Sequence, residues 1–375
     1  MPAKILFFLM LAGNAALAQN SAYLLIGTYT SGESEGIYVY NFNATSGDNQ
    51  LVSSVKISNP SYLAIAPGQR TVYAVTENAD SSKEGVGGRV SAFHFDPSNG
   101  TLKAINDQYS GGKHPCYVTV DSEGKWVFAA NYSSGSASVY AIQDDGGLEP
   151  ARQVVQHAGS GPDKNRQAGP HAHSTVLSPD NKYLFVQDLG TDKIMAYQFD
   201  KSNGTLTPAA IPFTQSVPGS GPRHLDFHPN NRYAYLMEEM TGTVAAYRYQ
   251  DGTLESIQRI SALPCDFQGK IGSADIHVSP DGRFVYCSNR GDANSITIFR
   301  IDDKSGKLTV VGHQSTLGKT PRNFSIDPTG NFLLAANEES DNVVIFKINK
   351  KTGLLTDTGK RIQVSKPVCL KWITQ

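Results

Sequence analysis

Short stretches in which apolar and polar residues alternate recur along the chain, each cut off by Gly, Pro, Asn, Asp or Ser. One unit displays the pattern in full. Ala274-Asp275-Ile276-His277-Val278 runs into Ser279-Pro280-Asp281-Gly282, then Phe284–Ser288, a polar loop, Ser295–Ile301, the turn Asp302–Gly306 and a last run from Lys307. Alternation of period two puts successive side chains on opposite faces, and turn formers at each junction fold the segments back, so the unit predicts four short antiparallel strands.

The unit repeats. A Gly followed closely by Leu ends a stretch of alternating residues at Gly100-Thr101-Leu102, Gly147-Leu148, Gly204-Thr205-Leu206, Gly252-Thr253-Leu254, Gly306-Lys307-Leu308 and Gly353-Leu354, with a looser version at Gly47 and Leu51. In step with it, Pro60, Pro115, Pro170, Pro222, Pro321 and Pro367 each open a first strand, and Ile271-Gly272 takes that place in the unit without Pro. The spacing of roughly fifty residues is that of propeller blades. The ends of the chain complement each other: Pro367–Ile373 supplies only a first strand, and Tyr23–Gly27, Gly36–Phe42 and Leu51–Ile57 supply the other three. The expected fold is all-β: a seven-bladed propeller closed by a blade shared between the two termini, which leaves no sheet edge open.

Because the first strand of a blade crosses the ring and the second returns, the start of the first and the end of the second lie on one face. Counting six positions back from each hairpin proline (Pro67, Pro179, Pro229, Pro280, Pro328) reaches Ser61, His173, Arg223, Ala274 and Arg322. Counting nine forward from the last four reaches Asp188, Glu238, Asn289 and Asn337, with Arg290 directly after Asn289 and with His171 and His224 flanking the first set. Imidazoles, guanidiniums and carboxylates on one rim of a channel form an anion-binding and acid–base vocabulary. Taken singly, each has a plainer role as an ion pair between blades or a packed core histidine.

Composition narrows the picture. A formal net charge of -1 over 375 residues argues against a nucleic-acid binder. Lys4, the apolar run Ile5–Leu11 and Ala16-Leu17-Ala18 read as a secretory signal over residues 1–18, leaving 19–375 as one exported domain, periplasmic or extracellular. No later stretch is long and apolar enough for a membrane helix. Cys116, Cys265, Cys287 and Cys369 match no zinc spacing and are expected as buried thiols. Neither a metal nor a cofactor is expected, no Gly-x-Ser-x-Gly nucleophile motif is present, and the chain is compatible with a monomer.

Several stretches resemble those of the propeller lactonases, the group that includes bacterial 6-phosphogluconolactonases and is similar to the carboxy-muconate lactonising enzymes. They are Gly27-Thr28-Tyr29-Thr30, Asn59–Ala64, Gly221-Pro222-Arg223-His224, Ala274–His277, Ser279–Phe284, Ser288-Asn289-Arg290-Gly291 and Thr320–Phe324, in order over the whole mature chain. The resemblance implies a hydrolase that opens a small, anionic sugar-acid lactone, with His173, Arg223, Glu238 and Arg290 as catalytic residues. His171, His224, Arg322, Asp188, Asn289 and Asn337 then stand as substrate-binding candidates. Either Glu238 or His173 serves as general base and the other as proton donor, while the arginines hold the anion and the carbonyl oxygen. Two alternatives stay open: a lactonising enzyme, and a non-catalytic propeller that binds a sugar acid or a protein. The export segment leaves open which lactone is met, since 6-phosphogluconolactone is cytosolic.

Overall fold

The computed structural model describes residues 21–79 and 88–374; the expected export segment lies outside the described residues. Seven four-stranded antiparallel sheets form the blades. Their innermost strands are Leu63–Ile65 (blade 1), Pro115–Val120 (blade 2), Ala172–Leu177 (blade 3), Pro222–Phe227 (blade 4), Ser273–Val278 (blade 5), Pro321–Ile326 (blade 6) and Pro367–Thr374 (blade 7). Each innermost strand packs on the next, and that of blade 7 packs on that of blade 1, so the ring is closed. Blade 7 is the shared one: Pro367–Thr374 pairs with Ser21–Thr28, from Ala22 opposite Thr374 to Gly27 opposite Cys369 in one register, which shifts by one residue before Thr28 meets Pro367.

The core lies between blades. Leu24, Ile26 and Phe42 of blade 7 pack on Phe332, Leu334 and Ile345 of blade 6, and similar clusters fill the other junctions. This packing explains the recurring Gly. Gly204 adopts φ +71°, and a Cβ there would lie 2.0 Å from the Trp126 ring of the preceding blade. Gly306 repeats the geometry at φ +70° against Tyr233. The turn needs a left-handed residue, and the neighbouring aromatic leaves no room for a side chain.

Around the channel the innermost strands are stitched blade to blade by side chains. Cys116 Sγ donates to His173 O at 3.3 Å, Ser174 Oγ to Arg223 O at 2.7 Å, and His224 Nδ1 to Asp275 Oδ1 at 2.7 Å. Asn323 donates to Asp275, Leu370 N to Asn323 Oδ1 at 2.7 Å, and Leu63 N to Cys369 Sγ at 3.3 Å. Tyr62 stacked on Tyr117 at 3.9 Å completes the circuit. Burying these polar groups at the ring axis is tolerable because the members of the circuit partner one another. The thiols are buried at Cys116, Cys287 and Cys369 and all four are free, but Cys265 is exposed, because it sits on the loop between blades 4 and 5 and not on a strand.

Candidate active site

The residue that ends the second strand of a blade does not face the channel. Asn289 donates to Ala262 O at 3.1 Å and Thr297 Oγ1 at 3.1 Å, and accepts from Ser273 Oγ at 2.6 Å. Asn337 donates to Thr316 O at 3.1 Å and Asn342 Oδ1 at 3.0 Å. Asp188 accepts from His157 Nδ1 at 2.6 Å and from the amides of His171, Gly190 and Thr191 at 2.8, 3.0 and 3.1 Å. Glu238, fully buried, pairs with Arg259 on the outermost strand of its own blade, and burial raises its carboxyl despite that partner. These four side chains are brackets: three tie each blade to the loop leaving the blade before it, and Glu238 ties its own strands. The expectation that they line the site is corrected by one position. A strand alternates faces, so a shift of one residue exchanges the sheet interior for the channel mouth.

In blades 4 and 5 the next residue, Glu239 and Arg290, does reach the mouth. Glu239, immediately after Glu238, accepts Arg166 Nη2 at 2.6 Å and Arg223 Nε at 2.9 Å, and pairs with Arg290 Nη2 at 3.0 Å. His173 Nε2 stands 4.0 Å from the same carboxylate. Tyr132, in the equivalent place of blade 2, stacks on His171 at 4.6 Å and meets His173 edge-on at 5.3 Å. Glu77 and Tyr29 occupy that place in blades 1 and 7. Tyr29 donates to Glu77 at 3.0 Å, and Arg322 lies over the Tyr29 ring at 5.3 Å.

Of the expected residues, the structure therefore gathers His173, Arg223 and Arg290 on Glu239. His171, His224 and Arg322 sit beside them, and Glu238, Asp188, Asn289 and Asn337 lie apart. Glu239, Arg166, Lys270, Glu77 and Tyr29 were missed. Glu239 was visible as the second half of a Glu pair. Arg166 and Lys270 sit on loops 157–171 and 262–272, the longest connections between described blades, and long loops beside a rigid scaffold commonly carry function. An open pocket of about 480 Å³ lies above Glu239 and Arg290, walled by Arg166, Lys270, Asp292 and Glu339.

Electrostatics divide the labour. Burial alone would raise the Glu239 carboxyl, but the guanidiniums of Arg290, Arg223 and Arg166 bring it down to about 2, so it is a fixed anion. Burial, with Arg223, His224 and Arg322 nearby, drives His173 well below the usual imidazole range and keeps it neutral. Burial and Arg223 bring His224 down to about 3 even though Asp275 opposes them. When unfolded, that imidazole titrates near 6.5. The unfolded chain thus takes up a proton between pH 6.5 and 3 that the folded chain refuses, and stability falls as pH falls through this window. Glu239 adds to the loss below about pH 4.5, its unfolded value. Urea midpoints should be lower at pH 5 than at pH 7, and His224→Gln should flatten that difference.

A closed propeller with a pocket at one mouth, set over a buried carboxylate that gathers three guanidiniums, is the class defined by fold and site. The chain matches the family model "Lactonase, 7-bladed beta-propeller" over residues 23–372, and it belongs to that family. It is 39% identical over 356 residues to the 6-phosphogluconolactonase of Bacillus subtilis, covering 93% of this chain and 98% of that one. Against the 6-phosphogluconolactonase of Formosa agariphila it is 38% identical, covering 86% and 91%. The solved periplasmic gluconolactonase of Pseudomonas aeruginosa superposes with a TM-score of 0.89 at 38% identity, covering 94% and 99%. Among the described residues no cluster of His, Cys, Asp and Glu is arranged to hold a metal ion, and no helix is long and apolar enough to cross a membrane.

Proposed function

We propose that the protein hydrolyses the ester bond of an anionic sugar-acid lactone seated in the pocket above Glu239. The convergence of three guanidiniums and a neutral imidazole on one buried carboxylate carries this reading. Water attacks the carbonyl carbon while His173 takes its proton. The neutral imidazole is available as a base at working pH, and the negative charge forming on the carbonyl oxygen offsets the imidazolium created beside it. Arg223 and Arg290 hold that oxygen. The ring C–O bond then breaks, and the leaving alkoxide recovers the proton from His173, giving the open hydroxy acid. Glu239 is a positioning residue: too weak a base to take the proton, it fixes the three arginines in place. Lys270 and Arg166 hold the anionic group of the substrate at the rim.

The relatives' names support lactone hydrolysis in general. Initial rates on 6-phosphogluconolactone and on gluconolactone, each corrected for spontaneous opening, test the reading. Turnover should be lowered about 10²–10⁴-fold in His173→Gln. A purified, folded protein that speeds neither reaction overturns it.

Export is part of the proposal. The segment Lys4 to Ala18 supports it, as does a solved relative named as periplasmic. Protein made in a secreting host should begin near Gln19 on N-terminal sequencing, and recovery of intact Met1 from the cytosol would sink the idea.

A further inference from the structure

Below the pocket, where the channel narrows, a small cavity of about 10 Å³ is lined by Ser61, Cys116, His173, Arg223, His224 and Arg322, among others. Such a volume admits one water-sized occupant. The lining has donors without acceptors. Arg223 uses Nε on Glu239 and Nη1 on Ala274 O, and its Nη2 meets no acceptor among the described residues. Arg322 makes one ion pair among the described residues, with Glu77 Oε2 at 3.9 Å, too long for a hydrogen bond, and donates no other. Ser61, 3% exposed, has a buried hydroxyl with no partner.

Charge is unbalanced in the same place. Arg223 answers to Glu239 and to Asp275, which stands behind His224 and Asn323, and Arg322 answers to Glu77 and Glu338, but none of these carboxylates lines the cavity itself. The imidazoles of His173 and His224 are neutral, and burial pushes the Cys116 thiol up, so it stays protonated. Two guanidiniums thus face a space that holds no negative group. A buried donor without an acceptor is costly, and a water offers two lone pairs but no charge. A monatomic anion, only slightly larger than water, accepts from both arginines and the Ser61 hydroxyl together, whereas phosphate or carboxylate needs several times that room.

We propose that this cavity is a binding site for one small monovalent anion of the halide class, held between Arg223 and Arg322 and capped by Ser61 Oγ. On the lactonase reading, a halide there also competes with the carbonyl oxygen as it gains charge, so halides should inhibit turnover; that consequence rests on the proposed function, whereas the binding does not. Crystals grown in bromide should give an anomalous bromine peak within hydrogen-bond distance of Arg223 Nη2 and Arg322. Melting curves in bromide should show a saturable rise of about 2–4 °C over sulfate at matched ionic strength. Both signals should vanish in Arg322→Gln and in Ser61→Val, whose added methyl occupies the cavity; the second variant decides the matter if the first does not fold. A cavity without a bromine peak, or melting that follows ionic strength alone, overturns the site. Neither measurement requires turnover, so failure of the site and failure of the lactonase reading are separable.

Discussion

Glu239→Gln is expected to lower kcat/KM for the lactone by about 10²–10³-fold, the loss typical of a displaced oxyanion donor. The adjacent Glu238→Gln should leave kcat/KM unchanged. The contrast follows from what each carboxylate holds. Glu239 neutralises part of the charge of Arg166, Arg223 and Arg290, which otherwise repel one another within one buried cluster. With a neutral amide in its place, the guanidiniums separate, and the carbonyl oxygen loses donors aimed at it in advance. Removing one member of a buried charge network also destabilises, typically by 3–5 kcal/mol, so melting curves must accompany the kinetics and rates must be taken on folded protein. Among the described residues Glu238 pairs with Arg259 away from the channel, so an amide there weakens that buried pair and lowers stability but leaves the arginines of the mouth in place. Equal kinetic losses in the two variants, or a loss confined to Glu238→Gln, would put the working carboxylate on the wrong side of the strand.

Deleting Pro367–Gln375 should abolish cooperative folding. The segment is the innermost strand of the shared blade and pairs along its length with Ser21–Thr28. It buries Val368, Cys369, Leu370 and Ile373, each at most 2% exposed. At about 1.5–3 kcal/mol for each fully buried aliphatic side chain, Val368, Leu370 and Ile373 alone are worth about 5–9 kcal/mol. That is comparable with the 5–15 kcal/mol by which a whole domain is stable. The deletion also cuts the side-chain circuit at Leu370–Asn323 and Cys369–Leu63, and exposes an unpaired strand edge. Circular dichroism melts and gel filtration of the truncated chain check this. A sharp transition near the full-length temperature would mean that the ring does not depend on its closing strand.

The architecture was legible because it is written in local rules. Period-two alternation, turn residues such as Ser279-Pro280-Asp281-Gly282 and the Gly-Leu marker each act within a few residues, and their repetition forces the blade count. The complementary ends announced the shared blade. Half of the site was legible for the same reason: the start of a first strand is fixed by its hairpin, and His173, Arg223 and Arg322 all fall on the channel.

The far end of the second strand was not legible to one residue. Counting from the proline reached Asp188, Glu238, Asn289 and Asn337, polar residues of the kind a site uses, but alternation makes the last paired residue a bracket and, at Glu239 and Arg290, the next one a channel residue. Composition cannot choose between Glu238 and Glu239; only the position of Arg259 on one side and of Arg166, Arg223 and Arg290 on the other does so. The sequence by itself thus determined the strands, their number and the closure of the ring, since these follow from patterns among neighbouring residues. Tertiary structure alone decided which carboxylate faces the arginines, and that Arg166, from a loop 73 residues before Glu239, joins them. Ion pairing depends on which side chains meet across blades, and no spacing along the chain encodes that distance.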